Sequence, residues 1–134
     1  MQAKILVVDD EISIVRAVTT RLTWAGYKVV TAYDGMMATD LAFHELPDLV
    51  LMDIGMPCGN GHVVAQRLLT NDKTMFIPVV YMTARTTEGD REQAVANHAA
   101  GYLTKPFKGD ELLDTVSHAL AVRKMRMDST NTGY

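Results

Sequence analysis

Short apolar runs recur along the chain, and they stop abruptly at polar side chains. Ile5, Leu6, Val7 and Val8 run into Asp9, Asp10 and Glu11; Leu49, Val50, Leu51 and Met52 run into Asp53, which Ile54, Gly55, Met56 and Pro57 follow. Unbroken runs this short, bounded by turn residues, mark strands covered on both faces, as in a parallel sheet. Three more segments have strand composition: Lys28 to Ala32 with β-branched Val29 and Val30, Pro78 to Met82 closing on Thr83, and Gly101 to Thr104 closing on Lys105 and Pro106.

Between these runs the apolar period lengthens to that of a helix. Ile12, Val15, Val18 and Leu22 predict a helix from Ile12 to Trp24, stopped by Gly26. Asp34 is placed to cap a second, with Met37, Ala38, Leu41 and Ala42 on its inner face and Pro47 at its end. Asn60 is placed to cap a third, whose inner face reads Val63, Val64, the Arg67 stem and Leu68. A more polar fourth helix starts at Thr86 or Thr87 and runs to about Asn97. The last starts near Asp110, where two acids complement the dipole, buries Leu112, Leu113, Val116, Ala119 and Leu120, and finishes in Arg123, Lys124 and Arg126. Five strands alternating with five helices, on short right-handed crossovers, predict a three-layer α/β/α sandwich. Residues 1–124 form this one domain; 125–134 read as a polar C-terminal tail or the start of a linker.

Composition narrows the function classes. With 134 residues, 48% hydrophobic and 22% charged, the chain is one ordinary globular domain. Thirteen Lys and Arg against 16 Asp and Glu, a net charge of -3 without long blocks of either sign, argue against direct nucleic-acid binding. No signal-peptide pattern opens the chain, and no apolar run approaches the roughly 18 residues of a membrane span. The single Cys58 precludes an internal disulfide and reads as an idle loop thiol in a reducing compartment, so the expectation is a cytoplasmic protein without membrane attachment. His44, His62, His98 and His118 lack metal-site spacing and read as surface or half-buried residues.

The strand ends carry the chemistry. Strands of a parallel sheet point one way, so Asp9, Asp10, Asp53, Thr83 and Lys105 gather at the edge where open α/β folds keep their sites. Carboxylates about 4 Å apart at an effective dielectric of about 20 repel by roughly 4 kcal/mol per pair. Lys105 supplies one positive charge; a hard, oxygen-loving dication, Mg²⁺ (with Mn²⁺ as a substitute), supplies the rest. A carboxylate, a dication, a hydroxyl and an ammonium group are the parts of phosphoryl transfer, and Asp53, an anion at neutral pH, needs no base to act as nucleophile. On this reading Asp10 and Asp53 hold the metal with a carbonyl from the loop just beyond, Asp9 supports it directly or through water, and Thr83 and Lys105 bind the incoming oxygens.

Asp9-Asp10-Glu11, Asp53-Ile-Gly-Met-Pro57, Thr83-Ala84 and Tyr102-Leu-Thr-Lys105-Pro106-Phe107 together resemble the receiver domain of two-component response regulators, over about Lys4 to Arg123. The resemblance implies a flavodoxin-like parallel sheet of order 2-1-3-4-5, the arrangement of flavodoxins and chemotaxis receivers. It implies that Asp53 accepts a phosphoryl group from a phosphohistidine on a sensor histidine kinase or histidine phosphotransfer protein. Gly55 would offer its carbonyl to the metal beside Asp9, Asp10 and Asp53, while Thr83, Ala84 and Lys105 would bind the phosphoryl group. The Lys105-Pro106 bond would be cis. Thr83 and Tyr102 would form the switch toward a downstream effector, and the face of the fourth helix, fifth strand and fifth helix admits a homodimer. Such a chain is no turnover enzyme; it catalyses only its own Asp phosphorylation and dephosphorylation. Six positions depart from or vary within the family's pattern: His98 replaces a common Gly, Ala100-Gly101 a common acidic pair, Lys108 a common Ser or Asp cap, and Gly55 and Arg85 flank the site where the family tunes dephosphorylation. Two other readings compete. A haloacid-dehalogenase-like phosphatase would need Asp-x-Asp after the first strand and room for a cap domain, and a flavin carrier would need a first loop that cradles phosphate rather than three acids.

Overall fold

Alternation along the strands decides how the sheet is covered. The computed structural model of the protein describes residues 2–56, 61–84, 92, 95, 96 and 98–131, with side chains as far as residue 125. Strands β1 (Lys4–Val8), β2 (Lys28–Ala32), β3 (Leu49–Asp53), β4 (Val79–Thr83) and β5 (Gly101–Thr104) form one parallel sheet in the order β2-β1-β3-β4-β5. Successive side chains of a strand point to opposite faces. Leu6, Val8, Val50, Met52 and Tyr81 therefore pack on one side with residues of α2 (Gly35–Glu45) and α3 (Gly61–Leu69). Ile5, Val7, Leu51, Val80 and Met82 pack on the other with residues of α1 (Ile12–Trp24) and α4 (Gly109–Asn131). All five residues of β3 and of β4 are buried, as expected of strands covered on both faces.

The expected fourth helix, with Arg85, lies outside the described residues except for Glu92, Val95 and Ala96, which are helical; the final helix is therefore labelled α4. Pro57, Cys58 and the expected cap Asn60 also lie outside. The other helix signals are met by specific caps. Asp34 accepts the Met37 N–H at 2.8 Å. Gly26, at φ 96, closes α1 with paired hydrogen bonds from the Gly26 N–H to Thr23 and the Tyr27 N–H to Leu22, a geometry that favours a residue without Cβ. Leu46, at φ 45, ends α2 just before Pro47.

Several sequence expectations are corrected. Ile12 (57% exposed), Met37 and Val63 face outward, as does Arg67, and the inner face of α3 is instead Gly61, His62, Val64, Ala65 and Leu68. An apolar side chain at an element's end or on its flank carries the hydrophobic signal without having a partner to cover it. His62, expected at or near the surface, is buried. The final helix does not stop at Arg126 but continues to Asn131, so residues 125–131 are helical; once nucleated and packed, a helix propagates through polar residues at little cost. No helix among the described residues is long and apolar enough to cross a membrane.

The strand starts are fastened from the rim opposite the functional residues. Asp48, just before β3, accepts the Lys4 N–H at 2.7 Å and the Arg123 guanidinium of α4 at 3.1 Å. Register then carries the strand ends into line: Val8 lies opposite Met52, Asp53 opposite Met82, and Thr83 opposite Thr104.

Candidate functional site

At the carboxyl edge the backbone leaves the sheet at four adjacent places: β1 delivers Asp9 and Asp10, and β3, β4 and β5 one group each. Asp9 follows β1 directly and is fully buried. Its N–H donates to the Ala32 carbonyl at 3.2 Å, and its carboxylate accepts the Glu11 N–H at 2.9 Å. These two bonds hold the turn into α1 and fix one carboxylate oxygen. The other accepts from Lys105 Nζ at 2.5 Å.

Asp53, the last residue of β3, is 8% exposed, and its Oδ1 lies 3.8 Å from Lys105 Nζ. Beyond it Ile54 and Met56 are buried while Gly55 between them is exposed, so the loop is pinned at both sides of Gly55. The Gly55 N–H lies close enough to the Asp53 carboxylate to favour its charged form. The chain re-enters the fold at Gly61, whose N–H donates to the Ile54 carbonyl at 2.9 Å. A Cβ there would stand 2.6 Å from the Asp53 carbonyl oxygen and 2.9 Å from Met52 Cγ, so only glycine fits this approach of α3 to the end of β3.

Asp9, Asp10 and Asp53 each bring a carboxylate oxygen into a group lying within 4.8 Å of one another. Asp10 is the exposed member. The crowding is visible in protonation. The Asp53 carboxyl is raised above its ordinary 3.8, first by burial and next by the charge of Asp9, with a smaller push from Asp10; Lys105 and the Gly55 N–H act against it. Burial also works to lower Lys105, but its hydrogen bond to Asp9 and the charges of Asp53, Asp9 and Glu11 outweigh it and hold the ammonium above its ordinary 10.5. An oxygen-rich, net-negative pocket of this kind has the donor set for a hard dication.

Thr83 ends β4, buried, at the same edge as Asp53, and its carbonyl accepts the Lys105 N–H at 2.7 Å. Ala84, next along, is exposed. The Lys105-Pro106 peptide is cis. Tyr102 lies one strand over, half-buried against the core layer of α2 and α3, with its ring centroid 6.4 Å from that of Tyr81. The structure thus brings Asp9, Asp10, Asp53 and Lys105 into one cluster, sets Thr83, Ala84 and Gly55 on its margins, and places Tyr102 apart from it. Sequence reasoning missed two things. It set the Lys105 charge among the carboxylates without telling which one holds it, and the ammonium bonds to Asp9. It also passed over His62, although the spacing to Ala65 and Leu68 places residue 62 on the inner helical face.

Comparison with known proteins agrees with this geometry. The profile of the response regulator receiver domain matches residues 5–117. The chain is 43% identical over 107 residues to response regulator PleD of Caulobacter vibrioides, covering 80% of this chain and 24% of PleD. It therefore spans about a quarter of that relative's length. It is 38% identical over 119 residues to protein PilH of Pseudomonas aeruginosa, covering 89% of this chain and 98% of PilH. Among solved structures, the chemotaxis response regulator CheY4 of Vibrio cholerae superposes with a TM-score of 0.84 at 34% identity, covering 89% of this chain and 99% of CheY4.

Proposed function

Since the chain belongs to the response regulator receiver family of two-component signalling, we propose that Asp53 is its phosphoacceptor. The donor is a phosphohistidine on a sensor histidine kinase or a histidine phosphotransfer protein. The observation that carries this reading is the convergence of the Asp9, Asp10 and Asp53 carboxylates with the Lys105 ammonium at one sheet edge.

In the step proposed, an Asp53 carboxylate oxygen attacks phosphorus, the N–P bond of the donor breaks, and its electron pair stays on the imidazole, which takes a proton from solvent. The product is an acyl phosphate. As a carboxylate Asp53 is itself the nucleophile and needs no base, and the nearby Gly55 N–H favours that charged form. Lys105, within reach of both acids, neutralises the phosphoryl oxygens as they arrive; the Thr83 hydroxyl and the Ala84 N–H supply further donors on that side. Asp9, Asp10, Asp53 and the Gly55 carbonyl are the groups that would hold Mg²⁺, whose charge when bound offsets that of the carboxylates and the phosphoryl group. Hydrolysis of the acyl phosphate resets the protein, and this autocatalysis is its only chemistry.

Thr83 and Tyr102 are proposed to carry the change to a downstream effector or a second copy of the chain across the β5 face. A cytoplasmic setting without direct contact to nucleic acid fits the net charge of -3. The test is labelling. Acetyl phosphate with Mg²⁺ adds one phosphoryl mass to the intact protein, and Asp53→Asn abolishes the addition; a label that persists in that variant removes Asp53 from the role.

A further inference from the structure

His62 is a buried side chain that the acceptor chemistry leaves without a task. It follows Gly61, the residue whose N–H bonds to Ile54 and whose backbone lies against the carbonyl of Asp53. From there the imidazole lies under the sheet, with its centroid 5.0 Å from that of Tyr81 and the planes inclined at 59°. Tyr81 is fully buried and stands two residues before Thr83 on β4, on the same face. Its ring meets that of Tyr102 edge to face, at 6.4 Å and 64°. Three rings in contact thus lead from the backbone of the acceptor strand to the β5 face.

Packed interiors shift between discrete arrangements rather than deforming continuously. Tyr102 changes its depth only if the Tyr81 ring it packs against accommodates it, and His62 packs against that same ring. We propose that His62 is a positioning residue: through Tyr81 it sets how deeply Tyr102 packs, and it links the acceptor loop to the β5 face by a path separate from Thr83. The input to this path rests on Asp53 being the acceptor, whereas the packing does not.

The experiment uses the full chain carrying fluorotyrosine, with the Tyr102 resonance assigned by its loss in Tyr102→Phe. Wild type, His62→Leu and His62→Phe are compared without additions and after saturation with beryllofluoride and Mg²⁺, and Asp53 loading by acetyl phosphate is read by intact mass. Leucine removes the ring and phenylalanine keeps one. Equal Asp53 loading is expected in all three, while the inward fraction of Tyr102 in His62→Leu changes by about threefold or more, the size of coupling seen along packed networks, and His62→Phe follows wild type. Tyr102 populations that coincide in all three proteins overturn the proposal. If His62→Leu does not fold, His62→Gln takes its place against His62→Phe under the same criterion. Failure of wild type to take a phosphoryl group refutes Asp53 as acceptor, and the Tyr102 populations in untreated protein then still decide the role of His62.

Discussion

The ammonium of Lys105 lies 2.5 Å from Asp9 and 3.8 Å from Asp53, so the lysine is committed to the acid that is not the proposed acceptor. Asp9 is fully buried and needs a cation more than Asp53 does. On the proposed chemistry, phosphorylation of Asp53 would have to draw Lys105 part of the way from an existing partner, and a dication held beside Asp9 would make that exchange easier.

Removing the lysine should expose this dependence. Lys105→Met leaves a buried carboxylate without its cation and is expected to cost about 3 kcal/mol in metal-free neutral buffer, read by denaturant unfolding. The Lys105 ammonium is held above its ordinary 10.5 in the folded protein. A raised lysine contributes stability that is complete below 10.5 and is lost as pH rises through the folded value. Wild type should therefore lose Tm in that alkaline range more steeply than Lys105→Met.

Neutralising the acceptor should act in the opposite direction. The Asp53 carboxyl is raised above 3.8, chiefly by burial and by Asp9. Between 3.8 and that raised value the folded protein binds more protons than the unfolded chain, so stability falls as pH rises through the window, and above it the full cost is present. Asp53→Asn is expected to raise stability by on the order of 1 kcal/mol without metal, measured by thermal unfolding. Below the window the advantage should vanish.

Divalent metal should close that gap from the other side. Free Mg²⁺ at ten times its dissociation constant is expected to stabilise wild type by about 1.4 kcal/mol. Asp10 is exposed, so Asp10→Asn should leave the metal-free Tm nearly unchanged while removing most of the gain. A Mg²⁺ response that survives in Asp10→Asn would contradict the assignment of the cluster.

Gly61 tests the backbone of the site rather than its charge. In Gly61→Ala the new methyl would meet the Asp53 carbonyl oxygen at 2.6 Å. Relief requires α3 or the acceptor strand to move, and overpacking of this kind costs about 1–3 kcal/mol. Both Tm and the rate of labelling by acetyl phosphate should fall, whereas Gly55→Ala, with open space around it, should leave Tm nearly unchanged.

Much of this architecture could be read before any coordinates, for identifiable reasons. The runs at Ile5 to Val8 and Leu49 to Met52 have no explanation but doubly covered strands, and an acid ending such a run has no packing reason to be there. Parallel direction then groups the strand ends without further information. What stayed hidden depends on distances of a few ångströms. Asp9 and Asp53 are both within reach of Lys105, and only the folded geometry shows that Asp9 holds it more closely. Met37 and Val63 are apolar letters on the wrong side of their helices, and His62 is a polar letter on the right one. Helical continuation to Asn131 leaves no apolar pattern in the sequence, since a nucleated helix propagates through polar residues.

The pairing of Asp48 with Arg123 has a mechanical corollary. It moors the last helix at the rim where the strands begin, one strand length, roughly 17 Å, from the rim where they end. Only that far end is remote: the helix starts at Gly109, four residues after Lys105 of the acidic pocket, and buries Leu112, Val116 and Ala119 against the layer of Val80, Met82 and Leu103. Whatever news reaches the Arg123 end has to be conducted along the helix or through solid packing, whereas the face of Tyr102 is one strand from β4.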